Sequence, residues 1–474
     1  MQKYETGNNV RIENSKRETS AKILVTGASG FIGSRLVSRL LSYTSSLSSN
    51  ENYEIVCLTR DSESLKGRYD NHEDVIKIVE ADVNDYPQLV KAMNRVTIAF
   101  YLIHSMGGSS KEWKKFAQRD RMAAKNFAKA ATECGVKRII YLGGLIHGET
   151  EDKLSEHMRS RKEVGDILRT STAKVTFFHA AVILGQGGGS FQMLEYLVKR
   201  LPVMVCPKWV LTKSQPISVD DVVEYLVRSI NVKDTVGRDF DIGGTEVLTY
   251  LQMMKLYARM LNKSIRILII PFLTPRLSSY WVDLITPVKA SLARPLIDSL
   301  KHEATVKNDT IRKLIPLKLK TFEEAVKAAE VEEDAKRNDK GQQRTSHTLN
   351  NKLLIVSLFA MAVIGSTYYM LDARPEVFQT NWLVLSTLWY FSIVFSLFFV
   401  FNGARLGAIM SGIIGWITLT LWLADNIYTV SGNSLIATSP DMTMTIRNFI
   451  GAGIAISVVA ASHNVYHKIR VHGI

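Results

Sequence analysis

Cysteine is scarce in this 474-residue chain: Cys57, Cys134 and Cys206 stand far apart, with no Cys-x-x-Cys and no Cys/His spacing. That spacing supports neither a disulfide framework nor a zinc site, and Cys57 and Cys206, in apolar surroundings, read as small core residues. The first 21 residues, MQKYETGNNVRIENSKRETSA, lack an apolar core, so they predict a disordered polar tail rather than a secretory signal. Dense Lys/Arg runs and aromatic-basic motifs are missing too. The net charge of +14 therefore points to an anionic membrane surface and not to nucleic acid.

Charge is what the C-terminal quarter has least of. From Asn351 onward there are six Lys/Arg and four Asp/Glu, against 53 and 41 upstream. Four stretches, at about 353–371, 379–402, 406–424 and 448–467, carry no charged side chain. Each has about the ~20 residues that a bilayer-spanning helix needs. The turn NGARLG and the tail HKIRVHGI are basic, whereas DNIYTVSGNSLIATSPDM is acidic. By the positive-inside rule this predicts a multi-pass protein of the cell membrane, with both termini and the soluble part in the cytoplasm. The polar run VEEDAKRNDKGQQRTSHTLN, 331–350, reads as a linker.

Upstream, short apolar runs alternate with amphipathic ones. KILVTG, YEIVCLTR, VIKIVEADV, TIAFYLIHS, VKRIIYLGG and KVTFFHAAVILG read as strands, separated mostly by helical patterns such as SRLVSRLLSYT and RDRMAAKNFAKAATECG. Near-continuous apolar strands alternating with helices mean an α/β fold with a parallel sheet covered on both faces. Past Gly185 the alternation loosens into a smaller substrate-side lobe, mainly 186–330.

KILVTGASGFIGSRLV carries the strongest motif. A strand runs into Gly27, Gly30 and Gly33 at three-residue spacing, and a helix starts there. Gly27 permits the tight turn, Gly30 the close approach of a pyrophosphate, and Gly33 tight helix–strand packing. Ser29, Phe31 and Ile32 complete the loop, and the helix N-terminus offers free amides to phosphates. The pattern predicts a Rossmann-type doubly wound sheet binding a nicotinamide dinucleotide. Arg60, at the end of the second strand, can pair with a 2′-phosphate, and Arg35 can reach the same group, so NADP(H) is preferred while NAD(H) stays possible. The other reading has Arg60 solvated and Asp61 on the ribose. Asp82 and Val83 fall where an adenine edge lies after the third strand; Asp82 can equally be a turn residue.

The glycine motif, ADVND, the strand order and the segment after Leu154 resemble the short-chain dehydrogenase/reductase superfamily. Among its members, the atypical, extended, NmrA-like proteins, with NAD-dependent epimerase/dehydratase-like relatives, are the most similar, over roughly 22–330. YLIHSMGG, YLGGL, LPVMVCPKWV, QPISVDDV and LTPRLSSYW carry the narrower likeness. The resemblance implies an oxidoreductase or epimerase in which a Ser, a Tyr and a Lys four residues after the Tyr handle the substrate proton.

That set is absent. No Tyr-x-x-x-Lys occurs in the chain, the strand that would supply the Ser ends Gly143-Gly144-Leu145, and LSEHMRSRKEVG puts His157 and Arg161 at the Tyr and Lys positions. Imidazole titrates near neutrality and can carry the proton, while a permanent Arg161 cation would hold it neutral. The alternatives are a surface His157 with Arg161 on cofactor or phosphate, or different chemistry at the same place. The strand ends Ile103-His104-Ser105 and Ala181-Val182-Ile183 also face the nicotinamide position, so His104 and Ser105 form a second proton-handling pair or line the ribose. Phe191, Gln192, Trp209 and Trp281 can wall an apolar cleft for a lipophilic substrate. The competing hypothesis is a cofactor-binding redox sensor or structural subunit of a membrane complex.

Overall fold

The computed structural model describes residues 21–46, 53–104, 113–145, 154–201, 203–270, 290–339, 344–371, 380–401, 405–430 and 442–472. The tail 1–20 and Ser105 and Trp281 lie outside them.

The apolar runs form a seven-stranded parallel sheet. Its strands are β1 (Ala21–Thr26), β2 (Tyr53–Thr59), β3 (Ile76–Glu80), β4 (Val96–Tyr101), β5 (Arg138–Gly144), β6 (Lys174–Ala180) and β7 (Asp239–Ile242), in spatial order β7-β6-β5-β4-β1-β2-β3. The order reverses between β1 and β4, which makes their C-terminal ends the crevice where open α/β sheets bind ligands. Helices α1 (Phe31–Ser46), α2 (Tyr86–Ala92), α3 (Trp113–Glu133) and α4 (Glu156–Leu168) link the strands. One apolar core holds Ile23, Val25, Leu36 and Phe178, and the one on the opposite face holds Leu24, Ala99, Phe127 and Tyr141. Alternate residues of β1 thus feed the two faces, as the strand period of two demands.

Helices α5 (Gly189–Arg200), α6 (Val219–Arg228), α7 (Tyr250–Met260) and α8 (Ala290–Ser299) follow, together with a short parallel pair, Val203–Pro207 with Arg266–Ile270. Helix α9, Phe322–Asp339, continues through residues that read as linker. Its Ala325, Val326 and Ala329 are buried in the lobe core, and Glu332 and Glu333 make ion pairs with Arg35 and Lys199. Those charges are therefore held contacts, because polar composition alone cannot separate a linker from a solvated helix face.

Besides the short helix Thr310–Leu314, the remaining α-helices are α10 (Arg344–Leu371), α11 (Thr380–Phe401), α12 (Arg405–Val430) and α13 (Met442–His472). Among the described residues three are long and apolar enough to cross a membrane, over Leu383–Phe401, Leu406–Ile427 and Thr445–His467; Asn351–Thr367 is a shorter apolar helix. Phe391, Val394, Phe401 and Ile427 point outward at 64–71% exposure, as lipid-facing side chains do. Inside, Asn448 Nδ2 donates to Asp425 Oδ2 at 2.7 Å, and Arg447 Nε donates to Thr367 Oγ1 at 2.8 Å. The core of the lobe takes in Phe399, with Leu406 and Met410 packed against it, so the α11–α12 end of the bundle is seated on that lobe.

Candidate active site

One side chain, Thr26, clamps two strand ends together. Thr26 Oγ1 donates to Phe100 O at 3.0 Å and accepts from Leu102 N at 3.0 Å, which fastens the end of β1 to the segment following β4. Gly27, at φ +65°, turns the chain there; a Cβ on it would sit 3.3 Å from Leu102 O. Gly30 N closes the turn onto Gly27 O at 2.9 Å. At Gly33 a Cβ would lie 2.1 Å from Gly27 O, a distance no side chain can adopt. Ser34 N bonds back to Gly30 O, and the preceding first-turn amides, at Phe31, Ile32 and Gly33, are the ones a helix leaves without intrahelical partners. This backbone cradle fits a pyrophosphate group.

Around the cradle the expected contacts diverge. Ser29 Oγ lies 3.5 Å from Thr59 Oγ1, so the loop touches the end of β2. Arg60 follows, exposed and without an ion pair among the described residues. Asp61 is engaged as a cap, its carboxylate accepting from Glu63 N at 3.1 Å. Arg35 is directed elsewhere than a 2′-phosphate: it donates to Phe31 O and Gln186 O, each at 2.8 Å, and pairs with Glu332 at 2.5 Å. The carboxylate of α9 captures it, a contact 297 residues distant in sequence. Asp82 accepts from Asn84 N at 2.9 Å and Nδ2 at 2.8 Å, a turn arrangement, and Val83 is buried while its carbonyl accepts from Asn126.

Beyond the cradle, Ile103 leads to His104. Ser155 caps α4 by accepting from Met158 N at 3.2 Å, and this places His157 in the first turn. Tyr141 OH donates to Arg161 O at 3.0 Å and Arg161 Nη2 donates to Leu142 O at 3.1 Å, which pins α4 to the end of β5. The two imidazoles then meet, His104 Nε2 to His157 Nδ1 at 3.2 Å. On its other side, His104 Nδ1 lies 3.2 Å from the buried Asp120 carboxylate of α3. The three side chains form one chain, Asp120–His104–His157.

Asp120 was not among the residues singled out from sequence. A signal for it exists: Asp120, Ala123, Ala124 and Phe127 share helical spacing, so a carboxylate sits on the buried stripe of α3.

Electrostatics fix the protonation of this chain. Burial and the Arg161 cation push His104 down to about 4 against the opposing pull of Asp120. Burial, His104 and Arg161 hold His157 well below the ordinary imidazole range. Both rings are neutral at pH 7. Assigned from the hydrogen-bond network, the tautomers follow: His104 Nδ1–H donates to Asp120, His157 Nδ1–H donates to His104 Nε2, and His157 Nε2 keeps its lone pair.

The Gly143-Gly144 end of β5 has a steric cause. A Cβ on Gly143 would lie 2.4 Å from the Phe177 ring, and one on Gly144 would lie 2.7 Å from Met158. A Ser at either position would need its neighbour to move. His157 and Arg161 line a cavity of about 160 Å³ together with Gly143, Ala181–Ile183, Trp209, Ser214 and Tyr250. Phe191 is wholly buried in the lobe core rather than exposed to a cleft.

The chain matches the model of the NmrA-like family over residues 19–324. It belongs to the NmrA-like family. Among curated proteins it is 21% identical, over 52% of its own length, to the chloroplastic divinyl chlorophyllide a 8-vinyl-reductase of Cucumis sativus, of which it spans 59%. It is 24% identical, over 52% of its length, to 73% of the photosystem II assembly factor Ycf39 of Guillardia theta. Among solved structures, the triphenylmethane reductase of Citrobacter sp., complexed with NADP(H), aligns with a TM-score of 0.50 at 18% identity, covering 65% of this chain and 99% of that one. This last likeness is one of fold.

Proposed function

We propose that this protein is a membrane-anchored oxidoreductase of the nicotinamide-dinucleotide class, acting on a carbonyl/hydroxyl centre of a lipophilic substrate, with His157 as the proton-handling residue. The observation that carries the reading is the contiguous chain Asp120–His104–His157, which leads to the cavity at the ends of β5 and β6. Gly27, Ser29, Gly30, Phe31, Ile32 and Gly33 would hold the dinucleotide, with Arg161 and Ile103 at its nicotinamide side. Arg60 rather than Arg35 would take a 2′-phosphate, since Arg35 is committed to Glu332 and Asp61 to its cap. When bound, the cofactor supplies or accepts hydride.

His157 Nε2 presents a lone pair at neutral pH, so in the resting array it is the acceptor for the proton of a substrate hydroxyl, a weak base that a bound substrate and cofactor must strengthen. The positive charge that develops stays on the His157 imidazole, stabilised by its hydrogen bond to His104, which Asp120 holds in the right tautomer as an orienting carboxylate does in a hydrolase triad. In the reverse direction the protonated array returns that proton to an alkoxide. Arg161 keeps the resting rings neutral and offers a cation beside the developing oxyanion.

The apolar helices α11–α13, read as spans, would hold the lobe against the bilayer with the soluble part cytoplasmic, and Phe399, Leu406 and Met410 supply the seat. The test uses the full chain in nanodiscs. NADPH binding is measured by calorimetry, and turnover is measured against a panel of ring ketones and alcohols. Loss of turnover with retained NADPH binding in His157→Ala, His104→Ala and Asp120→Asn supports the reading. Tight NADPH binding with no turnover in the wild type favours the sensor or subunit alternative.

A further inference from the structure

Helix α9 meets α5 and α7 through an unequal set of charges. Lys199 of α5 donates from Nζ to Glu195 at 2.7 Å, to Glu330 of α9 at 3.2 Å and to Glu333 of α9 at 2.9 Å. An ammonium has three donors, and all three are taken. Tyr257 of α7 donates its hydroxyl to Glu330. Carboxylate oxygens of the three Glu lie within 4.8 Å of one another, and Lys199 stands where a metal ion would have to. Glu195 is 2% exposed and Glu333 9% exposed, so water screens neither well.

Three ionised carboxylates about one ammonium would leave the cluster with negative charge in excess. Glu195 and Glu333 also lie close enough to hydrogen-bond to each other, a contact that needs a proton between them because two ionised carboxylates only repel. Burial, then the Glu333 carboxyl, raise Glu195 to about 7 against the pull of Lys199. Burial opposes the Lys199 ammonium, but Glu195 and Glu333 outweigh it and hold it above its ordinary range. Burial and Glu330 keep the Tyr257 phenol protonated. The neighbouring charges are engaged elsewhere: Arg200 lies over the Tyr196 ring at 4.5 Å, Lys263 Nζ donates to Lys199 O, and Glu332 holds Arg35. The proton between Glu195 and Glu333 is the one that leaves near neutrality.

We infer that Glu195, Lys199, Tyr257, Glu330 and Glu333 form a proton-dependent clasp: with a proton shared between Glu195 and Glu333, α9 is held to the lobe, and with that proton lost the excess charge loosens it. Helix α9 gives the clasp its reach. Glu332, next to Glu333, holds Arg35 near the start of α1, beside the glycine cradle. The first helix of the apolar bundle, α10, starts at Arg344, shortly after α9 ends at Asp339. The inference stands apart from the oxidoreductase reading, because no member of the clasp lines the cavity beside His157.

The closed clasp binds the proton more tightly than the open one, at about 7 against an ordinary 4.5. Closure is therefore strongest below pH 4.5, weakens as the pH rises towards 7 and levels off above it. Those values make opening roughly tenfold more frequent at pH 8 than at pH 6. Hydrogen–deuterium exchange of the full chain in nanodiscs, at both pH values and corrected for intrinsic exchange chemistry, reads that opening in peptides covering Phe322–Asp339. Wild-type protection there is expected to fall about tenfold from pH 6 to pH 8. Glu195→Gln, which keeps a donor in place of the proton, is expected to give a flat profile at or above the wild-type level of pH 6. Glu333→Gln, at the other end of the same hydrogen bond, is expected to do the same, so the test survives a first variant that misfolds. A flat wild-type profile, or a fall that persists in a folded Glu195→Gln or Glu333→Gln chain, overturns the clasp. An equal fall in peptides of β1 would mark loosening of the whole domain and overturn it too.

Discussion

Acidification acts on the two facing imidazoles in one direction. His104 is pushed down to about 4 in the folded chain, from an ordinary value of 6.5. Between those values protons bind the unfolded chain and not the folded one. The sign follows: stability is fully present above pH 6.5, falls as the pH drops towards 4, and levels off below it. A difference of 6.5 against about 4, at ~1.4 kcal/mol per unit, makes the loss at pH 4 about 3 kcal/mol, a factor of roughly one hundred. His157 is displaced in the same direction and adds to the loss.

Hydrogen–deuterium exchange of the full chain in detergent, corrected for intrinsic exchange chemistry, measures this locally. Peptides covering β4 and α4 should lose roughly a hundredfold of protection between pH 7 and pH 4. The loss should shrink sharply in the double variant His104→Gln/His157→Gln, which keeps polar side chains without imidazole titration. An equal loss in the double variant would assign the acid sensitivity to carboxylates elsewhere. Flat protection in the wild type would refute the neutral-pair assignment on which the unprotonated His157 Nε2 depends.

Restoring a serine at the end of β5 should not restore an ordinary active site. Gly143→Ser drives a Cβ into the Phe177 ring and is expected to cost about 1–3 kcal/mol by thermal unfolding, with partial rescue by Phe177→Leu. Arg60→Glu should weaken NADPH at least about tenfold in calorimetry while leaving NADH nearly unchanged; equal losses for both would remove Arg60 from the 2′-phosphate. In the apolar bundle, Asn448→Ala deletes the hydrogen bonds to Asp425 and Arg447 and should lower unfolding stability in mixed micelles by about 1 kcal/mol.

What sequence made legible was the part governed by local periodicity. The strands, the glycine turn and the apolar helices each repeat a chemical pattern over a few residues. The parallel sheet, Gly27 at positive φ and Gly33 against Gly27 O follow from those patterns. Arg35 escaped them because its partner Glu332 lies 297 residues downstream, in charged sequence indistinguishable from a linker until Ala325, Val326 and Ala329 bury the other face of the helix.

The candidate site divides along the same line. His104 and His157 were separately visible as residues at strand and helix ends, yet the property that matters belongs to the pair. A lone His157 would titrate near neutrality; buried, 3.2 Å from His104 and beside Arg161, it is held neutral, a weak base whose free nitrogen can only accept a proton at pH 7. Asp120 converts that pair into a directed chain, since an acceptor on Nδ1–H leaves His104 Nε2 free to accept. The missing serine then has a positive explanation. Phe177 packs where a Gly143 side chain would stand.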